Sequence, residues 1–237
     1  MNSAFDTVLR GGTIITDSVI EVSDIGILGG KIAAIGDLSR LPTSKTIQAK
    51  GLHILPGIID SQVHFREPGN EHTENLESGS KAAVLGGVTT VFEMPNTTPP
   101  TTTIESFTEK LSRAKGRCHC DYGFFIGACE ENIVDLPALE QLPGCVGVKI
   151  FMGSSTGTLL IPNDAMLGDV LSSGRRRAAV HAEDEKRLNE RLPIRDSGGG
   201  PELHPQWRDV DTALLATKRL IKLSRSHNRP VHVLHVT

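Results

Sequence analysis

The stretch Ile54-Leu55-Pro56-Gly57-Ile58-Ile59-Asp60-Ser61-Gln62-Val63-His64-Phe65-Arg66-Glu67-Pro68-Gly69 decides how the rest of the chain is read. Its apolar first part, bounded by turn formers, has the look of a buried strand. Alternation along a strand then places Asp60, Gln62, His64 and Arg66 on one face. A carboxylate, an amide, an imidazole and a guanidinium crowd the end of a hydrophobic strand. Such a row is costly to bury unless a metal, an anionic ligand or another polar group meets it. Otherwise it is a strand end lying at the surface.

Downstream of this stretch the pattern is strand, helix, strand. Glu74 to Leu85 carries Leu76, Ala83 and Val84 at helical spacing and stops at Gly86-Gly87. Val88 to Phe92 is a β-branched strand, Ile104 to Ala114 a helix, and Tyr122 to Ile126 a strand. Glu131 to Gln141 is a weaker helix containing Pro137, followed by strands at Val146 to Phe151 and Ala178 to His181. A long helix over Val210 to Leu223 precedes a last strand, Val231 to Val236. This alternation predicts parallel strands joined by crossover helices. A complete (β/α)8 barrel takes about 250 residues, and about 180 are available here. Either the fold is an open α/β sheet or the sequence is the front part of a longer barrel. An uncovered sixth strand would leave a raw edge and favours the second. The expected fold is therefore α/β: a TIM-type (β/α)8 barrel of which about six strands are present, over residues 55–237.

Upstream, residues 1–54 read as short strands and turns. Thr7 to Arg10 meets a turn at Gly11-Gly12 before Thr13 to Ile15. Ile25 to Leu28 and Lys31 to Gly36 form a hairpin around Gly29-Gly30, and Thr46 to Ala49 adds another strand. So little sequence holds no large core, and this sheet must lean on something else.

Composition bounds the function. Hydrophobic residues make up 38% and charged residues 22% of the 237 residues, an ordinary globular balance. A net charge of -3 argues against nucleic-acid or membrane-surface binding by bulk electrostatics. No apolar stretch approaches the roughly 20 residues of a membrane span, and the first six residues lack signal-peptide character. Cys118, Cys120, Cys129 and Cys145 show no framework spacing, so reduced thiols in a cytoplasm are expected. Cys118-His119-Cys120 is not a metal motif, because neighbouring strand residues face opposite ways.

In barrels of this kind the chemistry gathers at the C-terminal strand ends. His64, His181 and His235 end the first, fifth and sixth barrel strands, and imidazole is the common ligand of zinc-like ions. His232 faces away from His235. Lys149 is set between Val148 and Ile150, where an ammonium is expensive to bury. Either its charge extends to the barrel mouth, or the amine has reacted with carbon dioxide to an anionic carbamate that can bridge two metal ions. Gly153-Ser154-Ser155-Thr156-Gly157 lacks the lysine and spacing of a phosphate loop and reads as a loop at the mouth. Arg175 to Arg177 reads as a solvated turn.

The residues Asp60 to Gly69, Glu93-Met94-Pro95-Asn96-Thr97-Thr98-Pro99-Pro100, Gly147 to Phe151, Val180-His181-Ala182-Glu183 and His235-Val236-Thr237 resemble the dihydroorotases of the amidohydrolase superfamily. Phe65 to Gly69 and Met94 to Thr97 are the more specific pieces. Allantoinases and hydantoinases share the metal scaffold but usually differ at Arg66 and Asn96. The resemblance implies a metal-bearing barrel with a small β-sandwich, of which residues 1–54 are the N-terminal part. It implies His64, Lys149, His181 and His235 as metal ligands, one or two Zn2+ ions, and a carboxylated Lys149. Arg66 and Asn96 would hold a substrate carboxylate, which suits the planar fork of arginine. The implied reaction interconverts dihydroorotate and carbamoyl aspartate, in a cytoplasmic homo-oligomer acting on a small molecule.

Two departures qualify the resemblance. Gln62 stands where the family has a histidine, and an amide oxygen is a poor zinc ligand, so the first metal is expected to bind weakly or not at all. The family's acid/base aspartate comes from an eighth strand beyond Thr237, so the 237-residue chain alone is expected to be nearly inactive. Two alternatives follow: a catalytically silent dihydroorotase-like subunit supporting aspartate carbamoyltransferase, or an allantoinase- or hydantoinase-type hydrolase.

Overall fold

The computed structural model describes residues 4–155 and 159–236. Thr156 and Gly157 of the expected mouth loop therefore lie outside the described residues. The chain divides into two compact units, Met1–Gly57 and Ile58–Thr237.

The first unit is one sheet. It contains β1 (Phe5–Ile15), β2 (Ile20–Leu28), β3 (Lys31–Gly36), β4 (Thr43–Gln48) and β5 (His53–Ile54), ordered β3-β2-β1-β4 with β5 also on β1. β2 and β3 form the hairpin expected at Gly29-Gly30. The turn expected at Gly11-Gly12 is instead a bulge inside a single long strand, because the β1–β2 register shifts between Leu9 and Gly12. Asp24 holds that bulge: its carboxylate accepts the Gly11 amide at 2.8 Å and the Arg10 guanidinium at 2.9 Å. Phe5, Val8 and Leu38 make a small core, while Ile20, Val22 and Ile32 stay exposed. The core is as small as so short a sheet allows.

The second unit is a six-stranded parallel sheet, β6 (Ile58–Val63), β7 (Val88–Glu93), β8 (Asp121–Gly127), β9 (Cys145–Phe151), β10 (Ala178–His181) and β11 (Val231–Val233), paired in chain order. The helices are α1 (Leu76–Leu85), α2 (Ile104–Ala114), α3 (Leu136–Leu139), α4 (Asp164–Ser173), α5 (Glu185–Glu190), α6 (Leu192–Arg195), α7 (His204–Trp207) and α8 (Val210–Ser226). Side-chain oxygens of Asn75, Thr103, Asn163 and Asp209 cap the four long helices at their N-termini, as their short polar side chains favour.

Strand alternation sorts the sheet into two faces. Val91, Phe124, Ile126, Val148, Ile150 and Val180 bury against Phe107 of α2, Leu167 and Val170 of α4, and Leu220 of α8. Phe125, Ala179 and Leu234 share the other face with Met94, and Lys149 pairs in register with Ala179 on that side. This is the curled α/β half-barrel the alternation predicted. Three local expectations change. The helix expected over 131–141 breaks into a 3-10 turn at Glu130–Asn132 and the four-residue α3, whose Pro137 is confined to the first turn. α4 was not foreseen, although Asn163 and the spacing of Leu167, Val170 and Leu171 encode it. β11 ends at Val233, and His235 beyond it has φ 39°. Among the described residues no helix is long and apolar enough to cross a membrane.

Candidate active site

The end of β6 departs from simple alternation. Asp60 pairs with Val91 and Val63 with Glu93, three steps against two, so a bulge falls at Ser61-Gln62. The expected single row of Asp60, Gln62, His64 and Arg66 is therefore broken. Asp60 is exposed and accepts the Gln62 amide at 3.0 Å. His64 lies past the strand, where burial, reinforced by the charges of Arg66 and Lys149, pushes its pKa down to about 4. Arg66 takes a left-handed backbone conformation, φ 61°. Phe65 between them is buried against Gly79 of α1; a Cβ there would sit 2.4 Å from the Phe65 ring, so glycine is what lets the two approach.

The end of β7 lies beside it. The Met94 amide donates to the Val63 carbonyl at 3.0 Å, and Asn96 is buried two residues further on. Asn96 hydrogen-bonds His64, an interaction that favours the imidazolium without offsetting burial. Beneath both strand ends lies a buried ion pair, Lys110 Nζ to Glu93 at 2.6 Å, with exposures of 0% and 1%. Lys110 also donates to the Met94 carbonyl at 3.2 Å. Burial raises Glu93 to about 7 against the pull of Lys110, the Phe65 amide and Arg66.

Lys149 is 1% exposed. Its ammonium does not reach the mouth: Nζ donates to the Ile150 carbonyl at 3.0 Å and lies 3.8 Å from the Phe151 ring centroid. Burial drives its pKa well below the ordinary lysine value, because an ammonium there loses its hydration.

β10 and β11 bring the remaining imidazoles together. His181 Nδ1 and His235 Nε2 are 3.0 Å apart, and the Leu234 amide donates to Val180 O at 3.0 Å alongside. Burial and the His181 charge lower the pKa of His235. His181 Nε2 meets Glu183 at 2.6 Å, and Glu183 also pairs with Arg208, which donates to the Ser154 carbonyl at 2.7 Å. A cavity of about 710 Å³ opens here, lined by His181, Glu183, Trp207, Arg208 and His235 among others.

The sequence-derived residues thus fall into two groups. His64, Arg66 and Asn96 share the β6 and β7 ends, and His181 and His235 share the β10 and β11 ends. A charge on Lys149 bears on both His64 and His235. Among the described residues no three His, Cys, Asp or Glu side chains converge tightly enough to hold a metal unaided. The donor chemistry nonetheless suits an ion on the His181–His235 side. Two imidazoles on one tetrahedral zinc, at about 2.0–2.1 Å each, have their nitrogens about 3.3 Å apart. The carboxylate on the far nitrogen of His181 is the usual orienting partner of a ligating histidine.

Sequence reasoning missed Glu183, Arg208, Glu93 and Lys110 as parts of this site. Lys110 was legible, since it sits on the buried stripe of α2 between Phe107 and Ala114, where a cation requires a partner.

Six parallel strands paired in chain order and joined by crossover helices form part of a TIM-type barrel. Residues 53–190 match the amidohydrolase family, and the chain belongs to that family. It is 32% identical over 243 residues to an allantoinase of Deinococcus radiodurans, covering 99% of this chain and 54% of that protein. It is 36% identical over 252 residues to an allantoinase of Rubrobacter xylanophilus, covering 99% and 53%. Among solved structures it superposes on the L-hydantoinase (dihydropyrimidinase) from Arthrobacter aurescens with a TM-score of 0.90 at 29% identity, covering 98% of this chain and 53% of that one. The chain spans about half the length of the curated relatives it matches. These relatives carry the names allantoinase and hydantoinase, so they support the resemblance at the level of the family.

Proposed function

We propose that this chain carries the ring-opening site of an allantoinase- or hydantoinase-type cyclic amide hydrolase. Water adds to a ring carbonyl and the ring C–N bond breaks. The leaving nitrogen takes one proton of the water to become a neutral ureido N–H, and the new carboxylic acid releases the other as it ionises. The observation that carries this reading is the pair of imidazole nitrogens held 3.0 Å apart at adjacent strand ends, beside a buried lysine and in a family of hydrolases.

His181 and His235 would hold a divalent cation, zinc by preference, with Glu183 fixing the tautomer and ring plane of His181. Lys149 and His64 are the remaining candidate ligands, and Gln62 leaves the His64 side short of a second imidazole. A cation held there supplies polarisation of the carbonyl and a water acidified toward neutral pH. The neutral Lys149 amine is the form that adds carbon dioxide, forming an N–C bond and releasing one proton. Burial of Lys149 disfavours the ammonium and so favours that form.

Arg66 and Asn96 favour a second reading, a dihydroorotase-type reaction in pyrimidine biosynthesis. They lie on adjacent loops, and an arginine fork pairs both oxygens of a carboxylate. Turnover of allantoin, hydantoin and dihydroorotate by the zinc-loaded protein separates the readings. Ring opening of the first two supports the main reading, and exclusive turnover of dihydroorotate replaces it with the second. No turnover together with no more than trace metal refutes both and leaves a silent scaffold, for which binding to aspartate carbamoyltransferase is then the property to measure.

A further inference from the structure

Arg66 and Glu67 are neighbours with opposite commitments. Among the described residues the Arg66 guanidinium makes no hydrogen bond, whereas Glu67 is 2% exposed and fully engaged. Glu67 Oε1 accepts from Arg117 Nη1 at 2.7 Å, and its Oε2 accepts from Arg117 Nη2 at 3.1 Å and from the Leu76 amide at 3.0 Å. Arg113 stands 3.7 Å away. The first turn of α1 and the C-terminal end of α2 therefore grip one carboxylate.

That grip lies next to the strained residue. A left-handed conformation is strained for a side-chain-bearing residue and persists only where its surroundings enforce it. Further ties complete the enforcement. The Asn70 amide donates to the Arg66 carbonyl at 2.9 Å, and the Thr98 amide donates to the Pro68 carbonyl at 3.0 Å. Gly69 is pressed so closely on this second loop that a Cβ would lie 2.3 Å from the Thr98 carbonyl oxygen. The loops bearing Arg66 and Asn96 are thus fastened as one piece, with Glu67 as its buried charged anchor and the more exposed Glu71 pairing with Arg113 beside it.

We propose that Glu67 is a positioning residue whose clamp by Arg117 and the Leu76 amide aims Arg66, and so sets the affinity for ligands that bear a carboxylate. The inference rests on the reading of Arg66 as the group that faces a ligand carboxylate. Without the clamp, the backbone turn relaxes and the guanidinium loses its direction while its charge remains.

The test is calorimetric binding of dihydroorotate, which carries a carboxylate, and of hydantoin, which does not, to the zinc-loaded chain. Arg117→Met is the principal variant, because Arg117 is 36% exposed at its side chain and its loss leaves the core intact. Glu67→Gln is the second. Both are expected to weaken dihydroorotate binding about tenfold, the worth of one charge-assisted contact, and to shift hydantoin binding less than about twofold. Arg117→Lys should recover most of the loss, a rescue that general loosening of the fold would not give selectively for the charged ligand. Arg66→Ala separates the two levels of the argument. If it leaves dihydroorotate binding unchanged, the reading of Arg66 fails; if it weakens binding while Arg117→Met and Glu67→Gln do not, the positioning role fails. Equal loss for both ligands, or binding of neither by the unaltered chain, also overturns the proposal.

Discussion

Lys110→Met isolates the contribution of the ion pair beneath the β6 and β7 ends. Both partners are sealed from water and 2.6 Å apart, so removing the cation strands a carboxylate in an apolar setting. Breaking a buried pair from one side costs about 3–5 kcal/mol, whereas replacing both partners with neutral groups is far less harmful. For a unit of this size that loss lowers the melting temperature by about 6–20 °C. Glu93→Gln/Lys110→Met should recover most of it and remain within about 2 kcal/mol of the parent. The pH dependence adds a second signature. Glu93 is raised from 4.5 to about 7, with Lys110 and Arg66 the charged groups that face it. Between those values the folded state binds more protons than the unfolded state, so this residue's contribution is present at pH 4.5 and lost as pH rises through 7. In Lys110→Met the carboxyl loses the ammonium that restrains it, so the loss steepens and extends above pH 7; in Glu93→Gln it disappears. Thermal and urea unfolding of the four proteins from pH 5 to 8 reads both effects. A single-variant cost below about 1 kcal/mol, or a double variant as damaged as the sum of the singles, refutes the reasoning.

Other outcomes follow from the same geometry. Lys149→Met replaces a buried amine, whose charged form burial disfavours, by an apolar chain of similar length, so thermal unfolding should hold or rise while turnover and bound metal, read by elemental analysis, fall. Glu183→Gln should weaken zinc affinity about 10–100-fold, the usual effect of removing a ligand's orienting partner, as measured by competition with a chromogenic chelator. Gly79→Ala drives a methyl into the Phe65 ring and should cost about 1–3 kcal/mol in urea unfolding.

Much of the second unit was legible because its strands are apolar runs and its helices begin at polar caps. Ile104–Ala114 is a helix at both expected ends, and His181 and His235, singled out by their strand-end positions, lie with ring nitrogens 3.0 Å apart. What was hidden depends on register and backbone sign. Neither the bulge at Ser61-Gln62 nor the left-handed Arg66 has a local sequence signature, and together they undo a strict alternation argument for the β6 end. Glu183 and Arg208 lie 25 residues apart in sequence, so their convergence on His181 emerges only from tertiary packing.

The two facing imidazoles also have a topological meaning. They stand 54 residues apart along the chain, so joint ligation would cyclise that segment, α5 to α8 included, in the folded state alone. Closing a loop that long costs a free chain about 3–4 kcal/mol of entropy. Because only the native fold presents the two nitrogens already converged, the unfolding temperature should climb with free zinc, making heat resistance a gauge of occupancy.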